Sequence, residues 1–312
     1  MATGFGHNAW VGFADESTYG TYVPATAFLE IMEESFKGSQ SKIAKPQLRN
    51  ISVLNTVSSK KSVGGGFKFQ FPLTGAEKLL KHALGTVADT GAGPYTHTYT
   101  GADALPTGLS FHVNRDAATV GAGSAFKYFG AQISKLTFSQ KIEDFLMCEV
   151  EIAGQDWANM AVETPTFPTF SGLDWAMLGT FTVGGSTFAI DDFELSIENT
   201  LATDRYKLNS RIVKGLGRSG PRKITGKFTK EFETLAQYAL FTNQTNSAIV
   251  ATWTSSTHSL SLSLPKCYIQ DADPATSEAG PIKQTFTFEA FRSSTAGDEL
   301  SIVLVNGTAS GS

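Results

Sequence analysis

Two pairs of neighbouring carboxylates, Glu33-Glu34 and Asp191-Asp192, are the residues whose type best suits general acid–base work. Their setting does not suit it. Both pairs lie in runs that read as strands, FLEIMEESF from Phe28 and FAIDDFELSI from Phe188, and adjacent strand residues point to opposite faces. The five histidines, His7, His82, His97, His112 and His258, are scattered, and none joins an HExxH or Cys-His cluster that would hold a metal. Gly64-Gly65-Gly66 and the GRSGPRK run from Gly217 lack the Gly-Lys-Ser/Thr ending of a phosphate loop. The GAGSA run from Gly121 has no strand-to-helix turn around it, so it is not a nucleophile elbow. Cys148 and Cys267, the only cysteines, sit in apolar strand-like runs and read as buried small hydrophobes. No catalytic residue, metal or cofactor is expected, and the chain does not read as an enzyme.

The charge layout carries more information. Lys37, Lys42, Lys45, Arg49, Lys60, Lys61 and Lys68 follow one another without an intervening acid. A second acid-free stretch holds Arg205, Lys207, Arg211, Lys214, Arg218, Arg222, Lys223, Lys227 and Lys230. Each stretch follows one of the apolar-acidic strand runs. Each leads through a strand signal, GGGFKFQF from Gly64 or ITGKF from Ile224, into a short helical pattern. Phe28 and Phe188 lie about as far apart as Val63 and Ile224, so spacing repeats along with order. The chain reads as one unit present twice.

The elements that position these charges follow from periodicity. Val63 to Phe71 alternates, with Phe67, Phe69 and Phe71 on one face of a half-buried strand. Thr74 to Gly85 changes period: Leu79, Leu80, Ala83 and Leu84 form a helical stripe, and Gly85 stops it. Glu231 to Phe241 repeats that helix. Each half closes with a strand pair, Ile133–Gln140 with Leu146–Ile152, then Leu260–Leu264 with Phe286–Ala290. The expected class is mainly β (α+β), with two tandem β-sandwich or barrel domains that each carry one short helix. The expected division is an N-terminal arm (1–27), domain 1 (28–156), a Thr/Pro/Phe-rich linker (157–180), domain 2 (181–300) and a C-terminal tail (301–312). The arm is expected to order only on assembly.

A length of 312 residues fits two domains, and thirty Gly with twenty-three Phe fit β-structure with many turns. The N-terminus has no basic-then-apolar leader, and no run reaches the ~18 apolar residues of a membrane span. A soluble protein made in the cytoplasm is expected.

The basic stretches admit three uses: solvated loops, nucleic-acid binding, or contacts in which basic loops of one subunit meet acidic turns of the next. Tyr206 is the one aromatic among the charges of the loop parts, which is poor for a base-stacking platform. For the contact reading the candidate basic residues are Lys42, Lys45, Arg49, Lys60, Lys61, Arg211, Lys214, Arg218, Arg222 and Lys223. The candidate acidic counterparts, at the opposite ends of the strands, are Glu143, Asp144, Asp271, Asp273 and Glu278. Complementary charge of this kind sets orientation and register.

The order of features resembles the phage tail tube proteins, the major tail proteins of long-tailed phages. The likeness rests on WVGFADESTYGTYV, TAFLEIMEES, KKSVGGGFKFQF, EKLLKHALG, YTHTYT and FGAQISKLTFS. It resumes with GGSTFAIDDFELSIENTL and GPRKITGKFT. The resemblance implies a structural subunit of the virion tail, assembled in the host cytoplasm, whose rings stack into a hollow conduit for DNA. It implies self-association, contact with tape-measure, tail-terminator and tail-tip proteins, passing duplex DNA without specific binding, and no membrane. It also implies a ring-shaped β-barrel with about four strands from each domain.

Geometry then sets a stoichiometry. Twenty-four strands ~4.8 Å apart and tilted about 40° give a backbone diameter near 48 Å and roughly 38 Å of free lumen, wide enough for duplex DNA. Twelve strands leave about 14 Å and forty-eight about 85 Å. A trimer with pseudo-sixfold symmetry is expected, with a hexamer as the alternative if only one half lines the lumen. The wall should be neutral or acidic, because repeated Lys or Arg contacts to phosphate would make DNA stick. Reversing Arg218, Arg222 and Lys223 to Glu is expected to block elongation and leave the fold intact. The rival reading is a β-rich carbohydrate- or receptor-binding module of a virion or cell surface, which the dispersal of Trp10, Trp157, Trp175 and Trp253 disfavours.

Overall fold

The computed structural model describes residues 5–46, 52, 56–116, 125–168, 179–276, 279–294 and 297–312. The first half comprises β1 (Trp10–Asp15), β2 (Ala27–Glu30), β3 (Glu33–Glu34), β4 (Lys37–Ala44), β5 (Thr56–Gln70), α1 (Glu77–Leu84), β6 (Gly85–Thr90), β7 (Tyr95–Gly101), β8 (Leu109–Asn114), β9 (Ala125–Lys141), β10 (Met147–Gly154) and β11 (Asp156–Met160). The second comprises β12 (Thr180–Val183), β13 (Ser186–Thr187), β14 (Asp192–Glu198), β15 (Lys223–Glu231), α2 (Leu235–Thr242), β16 (Ser247–Ser255), β17 (His258–Asp271), β18 (Pro274–Ala275), β19 (Lys283–Ala290) and β20 (Ser301–Asn306). Among the described residues the protein is mainly β, with two short α-helices and a 3-10 turn at Gly6–Asn8.

Each half is a sandwich, because period-two strands bury one face and must find a second layer to cover it. In the first half β3, β5, β10 and β9 pair in that order. The facing layer is β2–β1–β8, with β8 and β11 on the two sides of the N-terminal part of β9. Phe36, Phe67, Phe111 and Tyr128 pack between the layers, their ring centroids 5.2–6.0 Å apart. In the second half β14, β15, β19 and β17 pair in the corresponding order. There the facing layer is β13–β12–β16, with β16 and β20 flanking the N-terminal part of β17. Phe181 fills that core against Phe193 and Phe228, with centroids 5.7 and 4.9 Å away.

Two strand pairings join the halves. β9 pairs with β14 from Lys135↔Glu198 to Lys141↔Asp192. β20 pairs with β7 from Ser301↔Thr100 to Asn306↔Tyr95. The result is one continuous antiparallel sheet that does not close on itself within the chain. The β6–β7 hairpin has no counterpart after α2, which passes directly to β16.

Both expected helices form, shorter than their sequence patterns. Gly85 ends α1 with φ 127°, a value that a side chain would strain, and an added Cβ would meet Ala102 at 2.6 Å. Three segments depart from the expected reading. Trp10–Asp15, assigned to an arm, is a core strand with Val11 and Phe13 fully buried. It is buried on both faces, so it carries no alternation to announce it. Asp156–Met160, spanning the end of expected domain 1 and the start of the expected linker, pairs with β9 as β11. Ser301–Asn306, assigned to a tail, lies between β17 and β7 with Ile302 and Leu304 buried.

Candidate functional site

Strand register gives the molecule two chemically different ends. Gln70, Met147, Lys141, Asp192, Glu231 and Lys283 share one end; Val63, Gly154, Glu198, Lys223 and Ala290 share the other. Glu143 and Asp144 occupy the β9–β10 turn at the first end, both exposed. Glu143 takes a left-handed φ of 63°, and the Asp144 carboxylate accepts the Phe145 amide at 2.8 Å. Asp271 and Asp273 are exposed at the same end, where β17 passes into β18. Glu278 lies outside the described residues.

The opposite end gathers the basic residues. Lys42 stands on β4 and Lys60 and Lys61 on β5, in a hairpin whose outer part is exposed on both strands. Lys45 follows β4 and is also exposed, while Arg49 lies outside the described residues. The second basic stretch folds against this hairpin, bringing together residues nearly half the chain apart. The Lys61 amide donates to the Arg211 carbonyl at 2.8 Å, and the Tyr206 hydroxyl donates to the Lys61 carbonyl at 2.7 Å. Lys60 lies 4.7 Å over the Tyr206 ring, and Lys61 pairs with Asp156 at 2.9 Å beside the Trp157 ring. Arg211, Lys214 and Lys223 are exposed.

Arg218 and Arg222 face inward instead. Arg222 donates to Glu299 at 2.8 Å, to Asn199 at 3.3 Å and to the Leu84 carbonyl that ends α1, with its side chain only 3% exposed. Burial holds its pKa below the usual arginine range. Arg218 donates to the Ala102 carbonyl, while its Nε and Nη2 are buried without a hydrogen-bond partner. Burial, followed by the neighbouring Arg222, lowers its pKa to about 10. Both line a cleft of about 500 Å³ with Asp103, Arg292 and Glu299. Reversing Arg218, Arg222 and Lys223 together would therefore strike an internal tie between the halves as well as the surface.

Between the ends, β5, β10, β9, β14, β15 and β19 present an open face. Its side chains follow from the register: Lys68, Glu149, Thr137, Ser196, Thr225 and Glu289 stand in one row across six strands. The whole face holds six lysines (Lys68, Lys135, Lys141, Lys223, Lys227, Lys283) and seven acids (Glu149, Glu151, Asp192, Glu194, Glu198, Glu231, Glu289) among Thr and Ser. Opposite charges interleave, as in Lys227–Glu194 at 2.9 Å and Lys135–Glu151 at 3.9 Å. Sequence reading names the buried positions of these strands and passes over their polar partners. The signal is there, since polar residues alternate with buried ones along most of these strands, Gly64, Gly66 and Met147 excepted.

The remaining chemistry-bearing groups serve the fold. His82 pairs with Asp15 at 3.0 Å, and His97 is buried between Asp89 and Asn306. His112 is buried against the Trp10 ring. Cys148 and Cys267 are free and buried, and burial raises both thiol pKa values, that of Cys267 to about 12. No cluster of three metal-ligating side chains occurs among the described residues.

Open polar sheet, charged ends and sandwich core define a β-structural subunit. The chain belongs to the phage tail tube protein family, which matches residues 6–290. It is therefore a structural protein of a virion tail that assembles with itself into a tube. No curated protein matches it. No helix among the described residues is long and apolar enough to cross a membrane.

Proposed function

We propose that three copies of this chain close into a ring with pseudo-sixfold symmetry, and that stacked rings form the conduit through which duplex DNA leaves the virion. One observation carries the reading: both halves contribute the same strand order to one sheet, through the β9–β14 pairing. This is the pattern of a duplicated unit. β3–β4, β5, β10, β9, β14, β15, β19 and β17 supply eight strands per chain, so three chains supply the twenty-four that fit duplex DNA.

The open polar face is the wall of the lumen. Across its six central strands, six lysines against seven acids leave almost no net charge, and each of these lysines has an acid nearby, so a phosphate backbone finds little to release counterions onto. DNA slides past such a wall without binding it. Rings stack with the exposed basic residues Lys42, Lys45, Lys60, Arg211, Lys214 and Lys223 of one against the acidic end of the next. Because the two ends differ in charge, stacking is head-to-tail and the tube is polar.

End-on class averages of purified protein in negative-stain electron microscopy test this. Hollow rings with three strong and three weaker lobes are expected. Six equal lobes from six chains would keep the tube and discard the trimer. A monomer without a lumen at high concentration would discard the tube.

A further inference from the structure

The β9–β14 pairing inside the chain is a template for a second seam, and two edges without a neighbouring strand among the described residues match it. In the first half the C-terminal part of β9 has β10 on one side and β14 on the other. In the second half the corresponding part of β17, with β18, has β19 on one side and, among the described residues, no strand on the other. β14 has both neighbours, whereas among the described residues β3–β4 pairs with β5 alone. The correspondence is tight enough to transfer a register. β9 carries an extra residue, Ser134, between Ile133 and Lys135 as it pairs with β10. β17 carries Gln270 between Ile269 and Asp271 at the same place in its pairing with β19. Lys135 therefore corresponds to Asp271. The constant registers of β3–β4 on β5 and of β14 on β15 make Glu198 correspond to Ser39.

Resting on the ring reading above, we propose that the β17–β18 edge of one copy pairs antiparallel with the β4 edge of a second copy, with Asp271 opposite Ser39 and Asp273 opposite Lys37. The pairing begins at Lys37 because the Phe36 carbonyl is already taken by Arg115. Charge supports this register. The internal seam sets Lys135 against Glu198 and Lys141 against Asp192, and the new one sets Lys37 against Asp273. Ser39, Lys37, Asp271 and Asp273 are all exposed. A register slip of one residue would turn every side chain to the wrong face, so the pairing is specific. Asp271 and Asp273 thus bind sideways, leaving Glu143 and Asp144 as the acids that meet the next ring.

Oxidative cross-linking of assembled Ser39→Cys/Asp271→Cys protein tests the seam, since residues directly opposite in an antiparallel pair have Cβ atoms ~5 Å apart. The expected result is a covalent ladder on denaturing gels, absent from either single variant. A parallel arm uses Lys37→Asp, expected to lower assembly at least tenfold, and Lys37→Asp/Asp273→Lys, expected to restore it. Assembled rings that give no ladder, or that link through Ser39→Cys/Asp144→Cys instead, would overturn the seam and leave the tube standing. Wild-type protein that forms no rings would overturn the ring reading itself.

Discussion

Arg222 sits where three segments of the chain meet: the end of α1, Asn199 after β14, and Glu299 before β20. Removing one partner of a buried ion pair leaves an uncompensated charge, at a cost of about 3–5 kcal/mol. Arg222→Met is expected to lower the stability of the unassembled chain by about that much, checked by urea unfolding, whereas exposed Lys223→Met should change it by under about 0.5 kcal/mol. From sequence these two neighbours look alike, since charge type is legible there and burial is not. The same blindness hid the fate of Arg218. What distinguishes it is the tertiary approach of Ala102 and Arg222, and neither lies at a spacing that the sequence pattern encodes.

The strands and helices were the most legible elements. Val63 to Phe71 and Leu146 to Ile152 alternate because one face meets the core and the other meets water, and their structure follows that pattern. β1 was illegible for the opposite reason, being covered on both faces. The first basic stretch was legible as a loop, but its contact with the second needed the fold. The β4–β5 hairpin also yields a test. Among the described residues its outer part meets the second basic stretch at Lys60 over Tyr206, and long surface loops are tolerated at small entropic cost. Replacing its outer part, residues 41–59, by a short turn is expected to shift the monomer's unfolding free energy by under about 1 kcal/mol. The same change should abolish tube elongation, measured by light scattering. Elongation at the normal rate would remove the hairpin from the stacking contact.

At the scale of the whole molecule, basic and acidic ends make assembly an electrostatic problem. Exposed charges are screened over ~8 Å at physiological salt and ~3 Å at 1 M. Raising salt from 0.1 to 1 M is therefore expected to slow ring-on-ring growth at least tenfold while rings persist, because the proposed seams would rest on backbone hydrogen bonds. Size-resolved scattering across a salt series would show it. β9 has a further consequence. Its seventeen residues run through both layers, pairing with β8 and β11 along one stretch and with β10 and β14 along the next. The two layers are thus bonded like the two skins of a laminate, with a close-packed filling that resists compression. In a tube built as proposed, bending the wall would stretch one skin and shorten the other, so a shell one domain thick would gain the stiffness of a beam.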